Sequence, residues 1–502
     1  MTTKSESTGR EGPEQHSNKQ ERGLRRRLAA LARAGLEVSH DRGVYRVRLA
    51  DAPAAPPAEV LLPEGFPVEG KALRQLADLA AVRHPAGGAV RRACASPDFH
   101  PGDAGVAIGS VVESEGMVIP AAVGSDINCG MRLHVVDLSV DRLLAGKEAL
   151  IDRLRGDFFF GTRDLPFTAA TMRAIFREGA MGWLDEVRKA PLGVLAGVDL
   201  AAIEAELERV HLGGALDGDP RWAPEDITPA DGIVRDGGIA TIGGGNHFVE
   251  LQVVEEVVDR KLAYQWGVRP GQVAFMIHSG SRGVGKHVGA VWRDRTRALW
   301  PKGQTYPTSG LFALSQGDHP EAVASYLEAE ATAANYGFVN RLLLAELTRT
   351  RLREVFGDVA APLVYDLPHN ITLPAGTAAA AAAGRWITRK GACPAGAGQP
   401  VIIPGSMGAS SFLLVGRGDP RFLASASHGA GRARSRFSMG RKPRTEAELG
   451  LEGVECITLR EERRVEEAPA AYKPIGPVID CQVAQGMVDV VARMRPLMTF
   501  KA

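Results

Sequence analysis

Apolar positions change period along this chain, and each change marks an element. In LRRRLAALARAGLEV (residues 24–38) Leu and Ala recur at three- and four-residue intervals, which predicts an amphipathic helix. GVYRVRLADAP (43–53) alternates at every second position, as a half-buried strand does, and runs into a Pro/Ala linker, APAAPPAEV. AAVGSDINCGMRLHVVDLS reads as strand, turn, strand, and PVIIPGSMGASSFLLVG as strand, loop, strand. GQVAFMIHSGSRGVG is an apolar run ending in a glycine turn, the pattern of a buried strand. Residues 319–358 keep helical spacing throughout and predict one long amphipathic helical stretch. Residues 1–22 are polar and charged without an apolar face and predict a disordered tail. The expected organisation is that tail, a small appended α/β module at 23–60, and a large body over about 68–502. Strands and helices mixed through Gly-rich connections place the body in the α+β class.

Composition narrows the function classes. Apolar residues make up 45% and charged residues 24%, as in a globular protein able to bury a sizeable core. With 58 Gly and 31 Pro, the chain has many turns, and a site built from loops is expected. A formal charge of only +1 excludes a protein that coats nucleic acid over its whole surface, so any such contact is local. Arg25, Arg26 and Arg27 have two readings, a polyanion contact or a solvated helix face. Five scattered cysteines (Cys94, Cys129, Cys393, Cys456, Cys481) argue against a disulfide framework and for a reducing compartment. The polar start and the lack of a long apolar run predict a cytoplasmic protein without a membrane partner. A Walker P-loop is missing, as is a G-x-G-x-x-G placed between strand and helix, so any nucleotide is held in another way.

Four segments set a metal-capable side chain where a strand meets a glycine turn: GSDINCG with Asp126 and Cys129, GGGNHFVEL with Asn246, His247 and Glu250, MIHSGSRG with His278 and Arg282, and DLPHN with His369 and Asn370. Each residue alone has a structural reading, as core filler, turn former or satisfied histidine. Together, Asp126, Cys129, His247, His278 and His369 exceed the three protein ligands usual for one catalytic zinc. They suit a binuclear site with Cys129 shared, and leave the metal open between zinc and manganese. PGSMGASS (404–411) and HGAGR (428–432) offer clustered N–H groups and hydroxyls for a phosphate or ribose, or else form tight turns. Arg432, Arg434, Arg436 and Arg282 are candidates to neutralise phosphates. His428 in HGAGR has three readings, a metal ligand, a proton carrier or a covalent nucleophile. The apolar ending ARMRPLMTFKA predicts a tail that docks and delivers Lys501 to a specific place.

SPDFHPG, AAVGSDINCGMRL, GGGNHFVEL, IHSGSRGVG, HN, RKGA, IPGSMGASSF, SHGAGRARSR, AAYK and RPLMTFKA follow one another in an order that resembles the RtcB family of RNA ligases, over roughly residues 68–502. The resemblance implies one mixed α/β catalytic body with a helical insertion at about 296–358. It implies a ligase that uses GTP and two Mn2+ ions to join an RNA 3′-phosphate or 2′,3′-cyclic phosphate to a 5′-hydroxyl, as in tRNA splicing and RNA repair. By the same resemblance, His428 is the nucleophile that carries GMP, and Asp126, Cys129, His247, His278 and His369 hold the metals. Asn246, His247, Phe248, Val249, Glu250, His369, Asn370, Pro404, Gly405, Ser406, Met407, Ser411, Gly429, Ala430, Gly431, Tyr472 and Lys501 fall on its guanylate-contacting motifs. Arg432 and Arg282 serve catalysis, and Asp98, with His100, is expected to position a water or the incoming hydroxyl. Broken or intron-excised tRNA-like ends are the implied substrate and an archease-type activating protein the implied partner. Two other readings share these residues: an RNA end-modifying enzyme that does not seal (a cyclic phosphodiesterase or a 3′-end guanylylating enzyme), and a non-catalytic RNA-binding relative.

Overall fold

Two antiparallel-rich sheets are linked through their edge strands: the consecutive strands Leu363–Pro368 and Asn370–Pro374 belong to different sheets, with only His369 between them. The computed structural model describes residues 13–376, 384–440 and 444–502. The first part of the expected polar tail (1–12) and the alanine run at 377–383 lie outside the described residues.

The first sheet has seven strands in the order Leu36–Asp41, Val44–Leu49, Ala58–Leu61, Ala89–His100, Ile108–Glu115, Arg385–Lys390, Asn370–Pro374. The expected N-terminal module is therefore not a separate unit. Its third strand pairs in parallel with Ala89–His100, Glu59 opposite Cys94 and Val60 opposite Ala95, so one sheet runs through both. The Pro/Ala stretch expected as a linker contains that strand. Helix Pro13–Arg33 also begins inside the stretch expected as a disordered tail, because its apolar stripe (Leu24, Leu31) is covered by the cluster that includes Leu73 and Leu76.

The second sheet runs Leu363–Pro368, Gly130–Ser139, Gln272–Ser279, Phe248–Val257, Val488–Lys501, Ser411–Gly416, Pro400–Ile403, and Glu455–Thr458 pairs in parallel with the end of Val488–Lys501. Side chains alternate between its faces. Val249, Leu251, Phe275, Ile277, Met498 and Phe500 face one core cluster, while Met131, Leu133, Met276 and Phe248 face another. The C-terminal segment is thus an interior strand, as its apolar ending predicted.

Helix Pro320–Phe356 differs most from expectation. Every residue from 329 to 348 is buried, so this is the spine of the core rather than a peripheral insertion. It packs on Ala169–Lys189, a helix the sequence reading did not anticipate, through Phe176 stacked on Tyr336 at 5.9 Å. Asn335 on the spine donates to the carbonyls of Phe176 and Leu216 and accepts from the Leu216 amide at 2.8 Å. Among the described residues no helix is long and apolar enough to cross a membrane.

Candidate active site

The segment before Cys129 is a one-turn helix, Pro120–Val123, rather than the expected strand. It ends at Gly124, and the chain turns through Asn128 in the left-handed region (φ 52°) before entering Gly130–Ser139. That turn aims Cys129 across the strand ends. Cys129 Sγ lies 3.1 Å from His247 Nε2 and 3.2 Å from His278 Nε2, and the three donor atoms sit within 4.8 Å of one another. His247 Nε2 is 2.9 Å from Asp126 Oδ2 on one side, and His278 Nε2 is 3.3 Å from His369 Nε2 on the other. All five expected donors therefore form one chain of contacts. Ligands bound to a cation at about 2.0–2.3 Å stand roughly 3–3.5 Å apart, which is the spacing found here. The donor set fits a cation chemically as well. Burial, with Asp126 nearby, keeps the Cys129 thiol protonated well above its ordinary value, a condition that a bound cation reverses. Burial alone would raise Asp126, but His247 outweighs it and holds the carboxyl at about 2.

His428 stands next in line, its ring 4.9 Å from that of His369. Its Nδ1 is 2.5 Å from Asp98 Oδ2, and its backbone N–H donates to the same oxygen at 3.1 Å. Ser96 donates to the other oxygen, Asp98 Oδ1, at 2.6 Å. Asp98 is fully buried. Burial favours its neutral form, but His428 outweighs this and lowers the pKa. The expectation that Asp98 positions a water or hydroxyl is thereby corrected: its carboxylate is occupied by His428 and Ser96. His100 turns back to the Asp98 carbonyl through Nδ1 at 2.8 Å, and burial lowers it to about 4. Asp98 is a positioning residue for the His428 ring. In Asp98→Asn an amide replaces the acceptor that selects the ring tautomer, and activity through His428 is expected to fall about 100- to 10,000-fold with little change in unfolding midpoint.

The glycine after the histidine has a definite role. Gly431 has φ +74°, and a Cβ there would lie 2.1 Å from the Asp98 carbonyl oxygen. Gly431→Ala is expected to cost about 1–3 kcal/mol of stability, read from a urea denaturation midpoint, because backbone on both sides must move.

A cleft of about 480 Å³ opens over His428. Its lining includes Asn246, Phe248, Glu250, Pro404, Gly405, Ser406, Met407, Gly429, Ala430, Gly431, Arg432, Tyr472 and Lys501. Strand alternation brings Phe248 and Glu250 to this face, opposite His278 and Thr499 respectively. The same alternation sends Val249 to the opposite core, so that expected contact is corrected. Ser411 is also displaced from the cleft: buried at the start of its strand, it accepts from the Gly405 amide and from Gln252 Nε2, both at 3.1 Å. Asn370 is a brace, donating to the Asp126 carbonyl at 2.9 Å and accepting from the Gly391 amide at 2.8 Å. Arg282 lies beside Gly243 and His247, with its Nε on Thr241 Oγ1 at 3.0 Å, next to the donor cluster and outside the cleft lining. Lys501 is buried and donates to the carbonyls of Gly245 at 3.3 Å and His247 at 3.2 Å.

Sequence reasoning missed the partners of these groups. Glu467 is almost fully buried and accepts from Arg432 at 2.9 Å, Arg436 at 2.8 Å and the Tyr472 hydroxyl. Thr499 and Gln252 hold the two oxygens of Glu250. Lys473 donates to the Phe99 carbonyl beside Asp98. Lys473 and Thr499 stood in quoted motifs, AAYK and RPLMTFKA; Glu467 and Gln252 look like ordinary helix-surface or strand positions.

Comparison with known proteins agrees with this geometry. The family model described as tRNA-splicing ligase RtcB matches residues 75–502. The RNA-splicing ligase RtcB of Mycobacterium tuberculosis (strain ATCC 25618 / H37Rv) is 34% identical over 438 residues, covering 82% of this chain and 96% of the relative. The tRNA-splicing ligase RtcB of Pyrobaculum aerophilum is 34% identical over 446 residues, covering 81% and 86%, and that of Thermococcus kodakarensis is 32% identical over 431 residues, covering 80% and 86%. The buried Cys–His cluster, the histidine beyond it and the match across most of its length make this chain a member of the RtcB family of tRNA-splicing ligases.

Proposed function

We propose that this protein is an RNA ligase that joins a 3′-phosphate or 2′,3′-cyclic phosphate end to a 5′-hydroxyl end at the expense of GTP, through a covalent histidine–GMP intermediate. The observation that carries the proposal is the placing of His428. One ring nitrogen is committed to Asp98, and the other is left for a ligand in a cleft whose far wall is a buried carboxylate. Asp126, Cys129, His247, His278 and His369 would hold the Mn2+ ions, which would supply positive charge beside the phosphates.

His428 Nε2 attacks the α-phosphorus of GTP; the P–N bond forms and pyrophosphate leaves. Gly429, Ala430 and Gly431 present backbone close to the phosphate, and Arg432 adds charge from the rim. A 2′,3′-cyclic end first adds water, which breaks the P–O2′ bond and leaves a 3′-phosphate; the RNA 3′-phosphate takes GMP from His428, and the RNA 5′-hydroxyl then displaces GMP to close the strand. Glu250 is the guanine-reading group, since a carboxylate accepts from the ring N–H and the amino group together.

Burial raises Glu250 to about 7 against the opposing pull of Thr499, Gln252 and Lys501. Because the pKa is raised, the folded protein holds this proton where the unfolded chain has lost it. The stability contributed is full below about pH 4.5 and lost as pH rises through 7. Guanine binding runs the other way, as it needs the ionised acceptor. Affinity for GMP is expected to rise about tenfold from pH 6 to pH 8. Glu250→Gln is expected to bind weakly at both values, and calorimetric titration at the two pH values reads this.

The proposal is tested by incubating purified protein with α-labelled GTP and Mn2+. Protein-bound label that is lost in acid and kept in base identifies a P–N bond, and adding RNA with a 3′-phosphate and a 5′-hydroxyl then gives a sealed product. A protein that takes up no label refutes the reading; label without sealing reduces it to end modification.

A further inference from the structure

The C-terminal end of the first helix packs beside the segment that lines the cleft, and the helix carries a basic run. From Arg22 to Arg33 the chain carries five arginines (22, 25, 26, 27 and 33) and no acidic side chain, in a protein whose formal charge is +1. With 3.6 residues per turn, Arg22, Arg26 and Arg33 fall on one line opposite Leu24, Leu28 and Leu31. All three are exposed, and Arg27, also exposed, flanks the apolar stripe.

The helix is tied to the rim of the cleft. Leu31 reaches Gly70, where a Cβ would lie 3.1 Å from its Cδ2, and Arg74 Nη1 donates to the Ala34 carbonyl at 3.4 Å. Glu69 and Lys71, on either side of Gly70, line the cleft itself. Leu31 faces Gly70, so the arginine line lies on the outer side of this helix, and a strand that leaves the cleft past Lys71 runs over the helix to reach it. The mounting is rigid as well. The strands that follow the helix continue the sheet that carries Asp98, through the pairing of Val60 with Ala95. This helix precedes the 75–502 stretch matched by the family model, so nothing in that match assigns it a role.

We propose that the Arg22–Arg26–Arg33 face binds the phosphate backbone of the RNA substrate beyond the nucleotides held in the cleft. Backbone contacts of this kind set register and affinity without reading bases. The face therefore favours long or structured RNA over short ends at the same chemical site. This inference rests on the ligase reading for its ligand.

The test uses the full-length protein and the triple variant Arg22→Glu/Arg26→Glu/Arg33→Glu, with binding measured for a 3′-phosphorylated RNA of about 30 nucleotides and for a trinucleotide, across a salt series. The variant is expected to bind the long RNA at least about tenfold more weakly. Its log-affinity against log-salt slope is expected to be shallower by about 2, roughly 0.7 for each lost phosphate contact on a single strand. Trinucleotide binding is expected to stay unchanged. An unchanged slope and affinity for the long RNA overturn the proposal, as does an equal loss for both RNAs. Retained RNA affinity with lost binding to polyglutamate overturns it too, since the face then reads carboxylates. Label uptake from GTP, measured on the same preparations, decides the ligase reading separately.

Discussion

His428→Ala is expected to take up no label from GTP and to seal RNA at least about a thousandfold more slowly than the unaltered protein, because on the proposed mechanism the covalent carrier is gone. The neighbouring nucleophiles cannot replace it. Lys501 is buried with its ammonium on two carbonyls, and Lys473 is held by the Phe99 carbonyl. An ammonium engaged as a donor has no lone pair to offer. Cys129 faces two imidazoles inside the donor cluster. The nearest competitor is His100, which lines the cleft and has one nitrogen committed to the Asp98 carbonyl. Parallel measurements on His428→Ala and His100→Ala therefore decide the assignment. Label lost from the first and retained by the second supports His428, and the reverse pattern refutes it. The His428 side chain is nine-tenths buried against Asp98, so circular dichroism is read on the same preparations, and a folded His428→Ala that takes up no label shows that the loss is chemical.

The chemistry of this site was legible where a reactive side chain sat in an otherwise small-residue segment. Cys129, His247, His278 and His369 stand at strand ends, with Asp126 in the turn before one of them, and the structure brings the five into one chain of contacts. What could not be read was the side of the sheet on which a residue falls. Val249 sits between two cleft residues in sequence, yet alternation puts it in the opposite core. Ser411 belongs to a phosphate-friendly string but faces inward, where it fastens Gly405. Burial was equally hidden in the 320–356 helix, because Ala, Asn and Thr on its polar side are covered by the Ala169–Lys189 helix and its flanking loops, and single-sequence periodicity cannot show a second covering layer. The N-terminal strands looked like a separate module because the parallel pairing that joins them to Ala89–His100 leaves no local pattern.

The covered helix itself supplies a residue that braces the donor cluster. Arg341, on the buried helix, and Asp366 are both fully buried, and the guanidinium donates to both carboxylate oxygens, with Nη2 2.7 Å from Oδ1. Nη1 donates to the carbonyls of Asn128 at 2.6 Å and Ser279 at 3.1 Å. These partners sit next to Cys129 and His278, and Asp366 lies three residues before His369. One side chain therefore fixes the three segments that carry these donors. Arg341→Met removes the cation and leaves Asp366 with Arg132 as its remaining close cationic partner, 3.3 Å away. Breaking a buried pair in this way is expected to cost about 3–5 kcal/mol of stability. Lysine is a poor substitute, since one ammonium cannot reproduce a fork that spans the carboxylate and two carbonyls. Removing a group that orients metal ligands without touching the metal weakens metal binding about 10- to 100-fold. Arg341→Met should show that loss in equilibrium dialysis against Mn2+ at a temperature where circular dichroism reports it folded. A folded variant that binds Mn2+ as tightly as the unaltered protein would confine Arg341 to stability and break its link to the donor cluster.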